Sequence, residues 1–221
     1  METRWWWIRH APVPDGGRIY GQRDLDCDCS ESQVFESLAR ELPRNAVWIT
    51  SHLRRAQQTA SAVRNAMQLP FQRGEPRALT ELAEQHLGEW QGLDRKAFLA
   101  SRGSDANPHW FAAASERAPG GESFVDLVER VARAIRLLAG EFRGRDIVAV
   151  AHGGTIRAAL SLAQQIAPDA ALEHRIDNCS LTRIDCLASG SWRVVAVNRC
   201  PWKSPDETET GGRVRPPRPI G

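Results

Sequence analysis

Strand-length apolar runs alternate with helical patterns along this chain, and that alternation limits the architectures open to it. Arg4 to Ile8 reads as a strand, Ser30 to Glu41 as a helix, Ala46 to Thr50 as a strand and Arg54 to Met67 as a helix. Glu122 to Phe142 reads as a long amphipathic helix, with Phe124, Leu127, Val128, Val131, Ile135 and Leu138 at three- and four-residue spacing. Asp146 to Ala151 is another strand and Gly154 to Gln165 another helix, and Ser180 to Leu187 with Trp192 to Asn198 forms a closing hairpin around Ser189-Gly190-Ser191. The consecutive Trp5, Trp6 and Trp7 suit a strand covered on both faces, since alternate side chains point to opposite sides. The order predicts a three-layer α/β/α sandwich with a mostly parallel sheet.

The chain has 221 residues, enough for one large domain and its core. The pattern predicts that domain over residues 1–202 and a disordered tail over 203–221, where four prolines and three glycines stand among charges with hardly an apolar side chain. Lys+Arg 29 against Asp+Glu 27 leaves a net charge of +2 with no basic stripe, so no nucleic-acid surface is expected. The longest run free of charged residues is the eleven from Ala158 to Pro168, well short of the ~20 that cross a bilayer. With no secretory pattern at Met1-Glu2-Thr3-Arg4, a cytoplasmic setting is expected. Five cysteines without scaffold density are expected to be mostly reduced, and Cys27-Asp28-Cys29 lacks the spacing and the second ligand pair of a zinc site.

In open α/β sheets ligands bind beyond the carboxyl ends of the strands. Three predicted strands end in cationic or imidazole groups: Arg9-His10-Ala11-Pro12, then Ser51-His52-Leu53-Arg54-Arg55-Ala56, then His152-Gly153-Gly154-Thr155. Singly, such a histidine also occurs as a satisfied polar residue at a core rim, and Arg9 or Arg55 would serve equally in a structural ion pair. Their repetition at three strand ends favours one crevice. The glycines at the third end permit close backbone approach beside exposed helix N–H groups, and the occupant these features suit is a phosphate.

These residues also carry a family resemblance. Arg9-His10-Ala11 resembles the Arg-His-Gly signature of the histidine phosphatase superfamily, which includes the cofactor-dependent phosphoglycerate mutases. The likeness continues in family order through Tyr20-Gly21-Gln22 with Asp24, Ser51-x-Leu53-x-Arg55-Ala56-x-Gln58-Thr59-Ala60 and Leu82-x-Glu84-x-x-x-Gly88-x-Trp90-x-Gly92. Pro119-Gly120-Gly121-Glu122-Ser123, His152-Gly153-Gly154-x-Ile156-Arg157 and Asn178-Cys179-Ser180 complete it. Ala11, His52 and Ala151 stand where glycine, proline and serine are usual. Tyr20-Gly21-Gln22-x-Asp24 is most similar to the alpha-ribazole phosphatase branch, although Leu25-Asp26-Cys27-Asp28 lacks that branch's Pro-Leu.

The resemblance implies a phosphoglycerate mutase-like fold and a phosphatase acting on a small phosphorylated metabolite, with no metal or other cofactor and with a homodimer left open. His10 would attack phosphorus through a neutral imidazole nitrogen. Arg9, Arg55 and His152 would hold the non-bridging oxygens. Glu84 matches the family's general acid, and Glu81 and Glu89 read as solvated loop carboxylates. Tyr20, Gln22 and Gly153 are the expected substrate-binding residues. Glu122 reads with Ser123 as a helix-start residue, and Ala106 to Pro119, with Trp110 and Phe111, as a cover for the crevice mouth. Two other readings stay open. One is a mutase, although mutases of this kind carry a longer lid than Asp94 to Arg117. The other is a catalytically silent phosphate-binding or partner-binding module.

Overall fold

β1 (Thr3–Arg9) runs through the middle of the molecule because both of its faces are apolar. Trp5 and Trp7 stack on one face, their rings 5.2 Å apart and 9° from parallel, and Trp6 points to the other. The computed structural model describes residues 1–69, 74–103 and 110–203. Apart from Lys203, the tail expected over 203–221 lies outside them, as do residues 106–109 of the expected crevice cover.

After β1 come α1 (Ser32–Glu41), β2 (Val47–Ser51), α2 (Arg54–Ala66), β3 (Arg77–Leu79), α3 (Arg95–Ser101), α4 (Phe124–Glu141), β4 (Asp146–Ala151), α5 (Gly153–Gln164), α6 (Pro168–Leu172), β5 (Leu181–Cys186) and β6 (Trp192–Arg199). The strands form one sheet in the order β3-β2-β4-β1-β5-β6. The pairs β3-β2, β2-β4 and β4-β1 are parallel, and β5 and β6 close it antiparallel. Trp5, Trp7, Ile49, Ile147 and Ala149 pack with Leu127, Val131 and Ile135 of α4 and Ile156 and Leu160 of α5. Ile8, Trp48, Val148 and Val150 pack with Phe35 and Leu38 of α1 and Ala56, Ala60 and Val63 of α2. These two apolar layers make the sandwich that the sequence predicts.

The parallel register brings the carboxyl ends of β1, β2 and β4 together, with Ile8 opposite Val150 and Arg9 opposite Ala151. A separate cluster of Ile19, Leu87, Trp90, Ala112 and Ala118 packs between the segments around residues 20, 90 and 115. α4 begins on a capping box: Ser123 Oγ accepts from the Asp126 N–H, and the Asp126 carboxylate accepts from the Ser123 N–H. The first-turn acid of α4 is therefore Asp126. Glu122 lies outside the helix and has other partners, described below.

Three elements differ from the sequence reading. β3 is an edge strand of three residues, Arg-Ala-Leu, too short and too polar to register as an apolar run. α3 buries no residue fully and so shows no core stripe; its start is fixed by Asp94, which accepts from the Ala97 N–H. α6 is a single short turn beginning at Pro168.

Candidate active site

The ends of β1 and β4 bring His10 and His152 together, with ring centroids 5.2 Å apart and ring planes tilted by 57°. Backbone bonds fix the first of these ends. The His10 N–H donates to Ala151 O at 2.9 Å, Ala11 N–H to Thr59 Oγ1 at 2.8 Å, and Asn178 Nδ2 to His10 O at 2.8 Å. Cys179, held at φ +59°, donates its N–H to Arg9 O at 2.9 Å. A non-glycine residue in the left-handed region is uncommon and marks a tightly determined segment.

The two imidazoles carry complementary tautomers. His10 Nδ1 lies 2.7 Å from Ala11 O, an acceptor only, so Nδ1 bears the proton and Nε2 presents a lone pair. Arg55 Nε donates to His152 Nδ1 at 3.2 Å, so there Nδ1 accepts and the proton sits on Nε2. That Nε2–H is buried and has no partner among the described residues. Burial, with the charges of Arg9 and Arg55, holds His10 well below the usual imidazole range. His152 is lowered by burial and then by Arg55, His10 and Arg9.

This neutrality makes stability depend on pH. The unfolded chain protonates these histidines below about pH 6.5, whereas the folded chain does not, so the unfolded state binds more protons. Stability is full above that value and falls as pH drops toward the lower folded values, by up to about 1.4 kcal/mol per pH unit for each group. Urea midpoints that decline from about pH 7 to pH 5 are the expected result, and a flat profile would contradict it.

Arg55 is 0% exposed and spends each nitrogen within the protein, its Nη1 and Nη2 donating to Arg23 O at 2.8 Å and Gly21 O at 2.6 Å. It thus ties the 21–23 turn to His152 and adds a buried charge. Arg9 Nη1 donates to Ile176 O at 2.6 Å, and its buried Nε has no partner among the described residues. Tyr20 lies over Arg55 at 5.0 Å and meets His10 edge-on.

Glu84 enters from the loop after β3. One oxygen accepts from the Gly154 N–H at 3.2 Å and the other from the Gln85 N–H at 2.9 Å. Its loop is held on every side: Gln22 Nε2 donates to Glu84 O at 2.8 Å, and Thr155 Oγ1 to Ala83 O at 3.0 Å. Arg130 of α4 donates to Glu81 O at 2.8 Å and forms a two-point pair with Glu122, whose Oε1 also accepts from the His86 N–H. Gln22, expected to bind substrate, thus has its amide on the acid loop, and Glu122 supports that loop. Glu81 and Glu89 are exposed.

A cavity of about 230 Å³ opens beside these groups, lined by Arg9, Tyr20, Gly153, Glu84, Arg157, Trp110 and others. The imidazoles, 1% and 0% exposed, are recessed from it, behind their chain neighbours Arg9 and Gly153. Of the expected residues, Arg9, Tyr20, Glu84 and Gly153 reach the cavity, and His10, His152 and Arg55 form the layer behind it. Trp110 and Phe111, expected to cover the crevice mouth, also line it, as do Arg157 and Arg95, which have no assigned role in the sequence reading. Arg157 stood in the quoted His152-to-Arg157 block, and its helical spacing from Gly153 was the available signal. Among the described residues no three His, Cys, Asp or Glu side chains cluster as a metal site would require. No helix among them is long and apolar enough to cross a membrane.

Gly154 makes the approach of the acid possible. A methyl group there would sit 2.2 Å from Glu84 Oε1 and 3.0 Å from Leu127 Cδ2. Gly154→Ala is expected to leave the melting curve nearly unchanged, because the mobile end of Glu84 yields first, and to lower kcat/KM on alkyl phosphates about tenfold or more by displacing the carboxylate. Parent-like turnover would show that this carboxylate position does not matter.

Comparison with known proteins fits this geometry. The model of the histidine phosphatase superfamily (branch 1) matches residues 5–199. The 2,3-bisphosphoglycerate-dependent phosphoglycerate mutase 2 of Gloeobacter violaceus is 30% identical over 177 residues, covering 79% of this chain and 74% of that protein. The glucosyl-3-phosphoglycerate phosphatase of Mycolicibacterium vanbaalenii is 34% identical over 165 residues, 68% of this chain and 69% of the relative. Against the bifunctional protein of Mycobacterium tuberculosis, 29% identical over 154 residues, the chain spans 41% of the relative's length. Among solved structures, the mycobacterial glucosyl-3-phosphoglycerate phosphatase superposes with a TM-score of 0.72 at 28% identity, covering 90% of this chain and all of that one. A putative alpha-ribazole-5'-P phosphatase from Escherichia coli gives 0.69 at 22% identity over 89% and 96%, a likeness of fold. The chain belongs to the histidine phosphatase superfamily. It is a phosphoric monoester hydrolase of that type.

Proposed function

We infer that residues 1–202 form a metal-independent phosphatase that hydrolyses a small phosphomonoester through a phosphohistidine on His10. The pair of complementary tautomers carries this reading: His10 leaves an Nε2 lone pair, and His152, its ring 5.2 Å away, leaves an Nε2–H with no partner among the described residues. The lone pair attacks phosphorus, the ester P–O bond breaks, and the departing oxygen takes the proton of the Glu84 carboxyl. In the second half Glu84 accepts a proton from water, the oxygen of that water bonds to phosphorus, and the P–N bond breaks to return neutral His10 and inorganic phosphate. His152 Nε2–H and Arg9 Nε–H are the donors available for the non-bridging oxygens. The Arg9 and Arg55 guanidinium groups supply the positive charge that a metal supplies in other phosphatases.

The experiment is phosphate release from p-nitrophenyl phosphate before and after exhaustive chelation. An unchanged rate is expected, and a requirement for added magnesium or zinc would contradict the cationic site. Inorganic phosphate as the product, in place of an isomeric phosphomonoester, distinguishes the hydrolase from a mutase. An alpha-ribazole phosphate-like substrate rests on the Tyr20-Gly21-Gln22-x-Asp24 resemblance, and a screen of phosphorylated metabolites measuring released phosphate tests it.

A further inference from the structure

Cys27-Asp28-Cys29, which the sequence reading sets aside as a zinc site, lies behind the turn that carries His10. Its two sulfurs are 3.6 Å apart and both side chains are partly exposed, whereas Cys179 and Cys200 are buried. Among the described residues no third His, Cys, Asp or Glu completes a metal site with them. The Cys27 thiol donates to Arg55 O at 3.3 Å and lies 3.6 Å from Thr59 Oγ1. With the Cys29 thiol as donor to its sulfur, Cys27 is held down to about 7 against the opposing effect of burial, and Cys29 is pushed up. A sulfur with thiolate character, open to solvent and beside a second thiol, is the arrangement that oxidants attack.

The same segment holds that turn from two sides. The Asp28 N–H donates to Pro12 O at 2.7 Å, and Thr59 Oγ1, which touches the Cys27 sulfur, accepts from the Ala11 N–H at 2.8 Å. Ala11 O in turn accepts from His10 Nδ1 at 2.7 Å. We propose that Cys27 and Cys29 form a reversible redox pair, closed to an intrachain disulfide by hydrogen peroxide, and that closure slows turnover by loosening the turn behind His10. The Cys27 sulfur attacks one peroxide oxygen, the O–O bond breaks, and the departing oxygen leaves as water with the thiol proton, giving a sulfenic acid. The Cys29 sulfur then attacks the Cys27 sulfur, the S–O bond breaks, and a second water leaves with the Cys29 proton. Both thiols are oxidised and the peroxide is reduced to water. A disulfide needs a sulfur separation of ~2 Å and removes the S–H that Cys27 donates to Arg55 O. Its small ring also passes through the backbone of Asp28, whose N–H holds Pro12.

The test treats the full reduced chain with hydrogen peroxide, then alkylates free thiols in denaturant. Peptide mass spectrometry is expected to find Cys27 and Cys29 joined and unalkylated, with Cys179, Cys186 and Cys200 alkylated and the bond reversed by dithiothreitol. In the oxidised protein the Ala11 amide should exchange with solvent about tenfold or more faster than in the reduced protein, read by NMR, while the Val148 amide in β4 is unchanged. Turnover of p-nitrophenyl phosphate should fall about tenfold and recover with dithiothreitol. Cys27→Ser keeps a donor for Arg55 O, so it should turn over like the reduced parent and ignore peroxide. Sulfinic acid on Cys27 with no bond to Cys29, or a buried cysteine oxidised first, would overturn the proposal. So would a disulfide that leaves Ala11 exchange, or the turnover of an active protein, unchanged. Only the effect on turnover rests on the phosphatase reading. A disulfide that loosens Ala11 in a protein hydrolysing no ester would overturn that reading and leave the redox pair standing.

Discussion

His10→Ala is expected to reduce turnover of every phosphomonoester by at least about a thousandfold while leaving the fold in place, because it removes the reacting atom itself. The side chain is buried, but its single internal bond goes to the adjacent Ala11 carbonyl, and the backbone bonds that fix the end of β1 do not pass through it. The melting temperature should therefore change little against the loss of rate. Residual activity within about tenfold of the parent, less than ~1.4 kcal/mol of barrier, would reject His10 as the nucleophile. His152→Ala makes a useful contrast, since it removes a donor to the phosphoryl oxygens and leaves the covalent route open.

The second large effect is expected at Glu84, and it depends on the substrate. Glu84→Gln keeps the shape of the side chain and an acceptor for the Gly154 and Gln85 N–H groups but has no proton to give. Alkyl phosphates, whose alkoxides leave poorly, should lose about 10²- to 10⁴-fold in kcat. For p-nitrophenyl phosphate, whose phenolate departs with little help, the first half-reaction should be much less affected, with a burst of p-nitrophenol ahead of slow dephosphorylation. Glu81→Gln and Glu89→Gln should resemble the parent, since both side chains are exposed and neither lines the cavity. Equal loss on both substrates in all three variants would mean damage to binding or folding and would remove Glu84 from the acid role.

Much of this was legible in the sequence because it was written in periodicity. The triple tryptophan, the α4 stripe and the strand-terminal His and Arg groups each follow from side-chain direction, and side-chain direction follows from the backbone period. The expected residues His10, Arg9, Arg55, Glu84 and His152 lie around one place because parallel strands end on one edge of the sheet. What periodicity does not encode is which partner a polar group takes. The amide of Gln22, an expected substrate-binding residue, donates to the Glu84 carbonyl, and Glu122, read with Ser123 as a helix-start residue, pairs with Arg130. Gln22 meets Glu84 across 62 residues of sequence and Glu122 meets the His86 N–H across 36, separations that no local pattern encodes, and the same holds for Arg157, whose neighbour Trp110 arrives from a different segment. β3 and α3 leave no periodic signal in the sequence because neither buries an apolar stripe.

The central claim is that phosphoryl transfer passes through Nε2 of His10. It is tested most directly by mixing the protein with a phosphomonoester, quenching rapidly under alkaline conditions that preserve phosphohistidine, and locating the phosphoryl group by peptide mass spectrometry and phosphorus NMR. The predicted result is a phosphoryl group on the His10-containing peptide, bonded at Nε2 and more abundant in Glu84→Gln, where dephosphorylation lacks its base. Phosphate released at full rate with no phosphoryl group on His10 at any time point, or a phosphoryl group found on His152 instead, would contradict it.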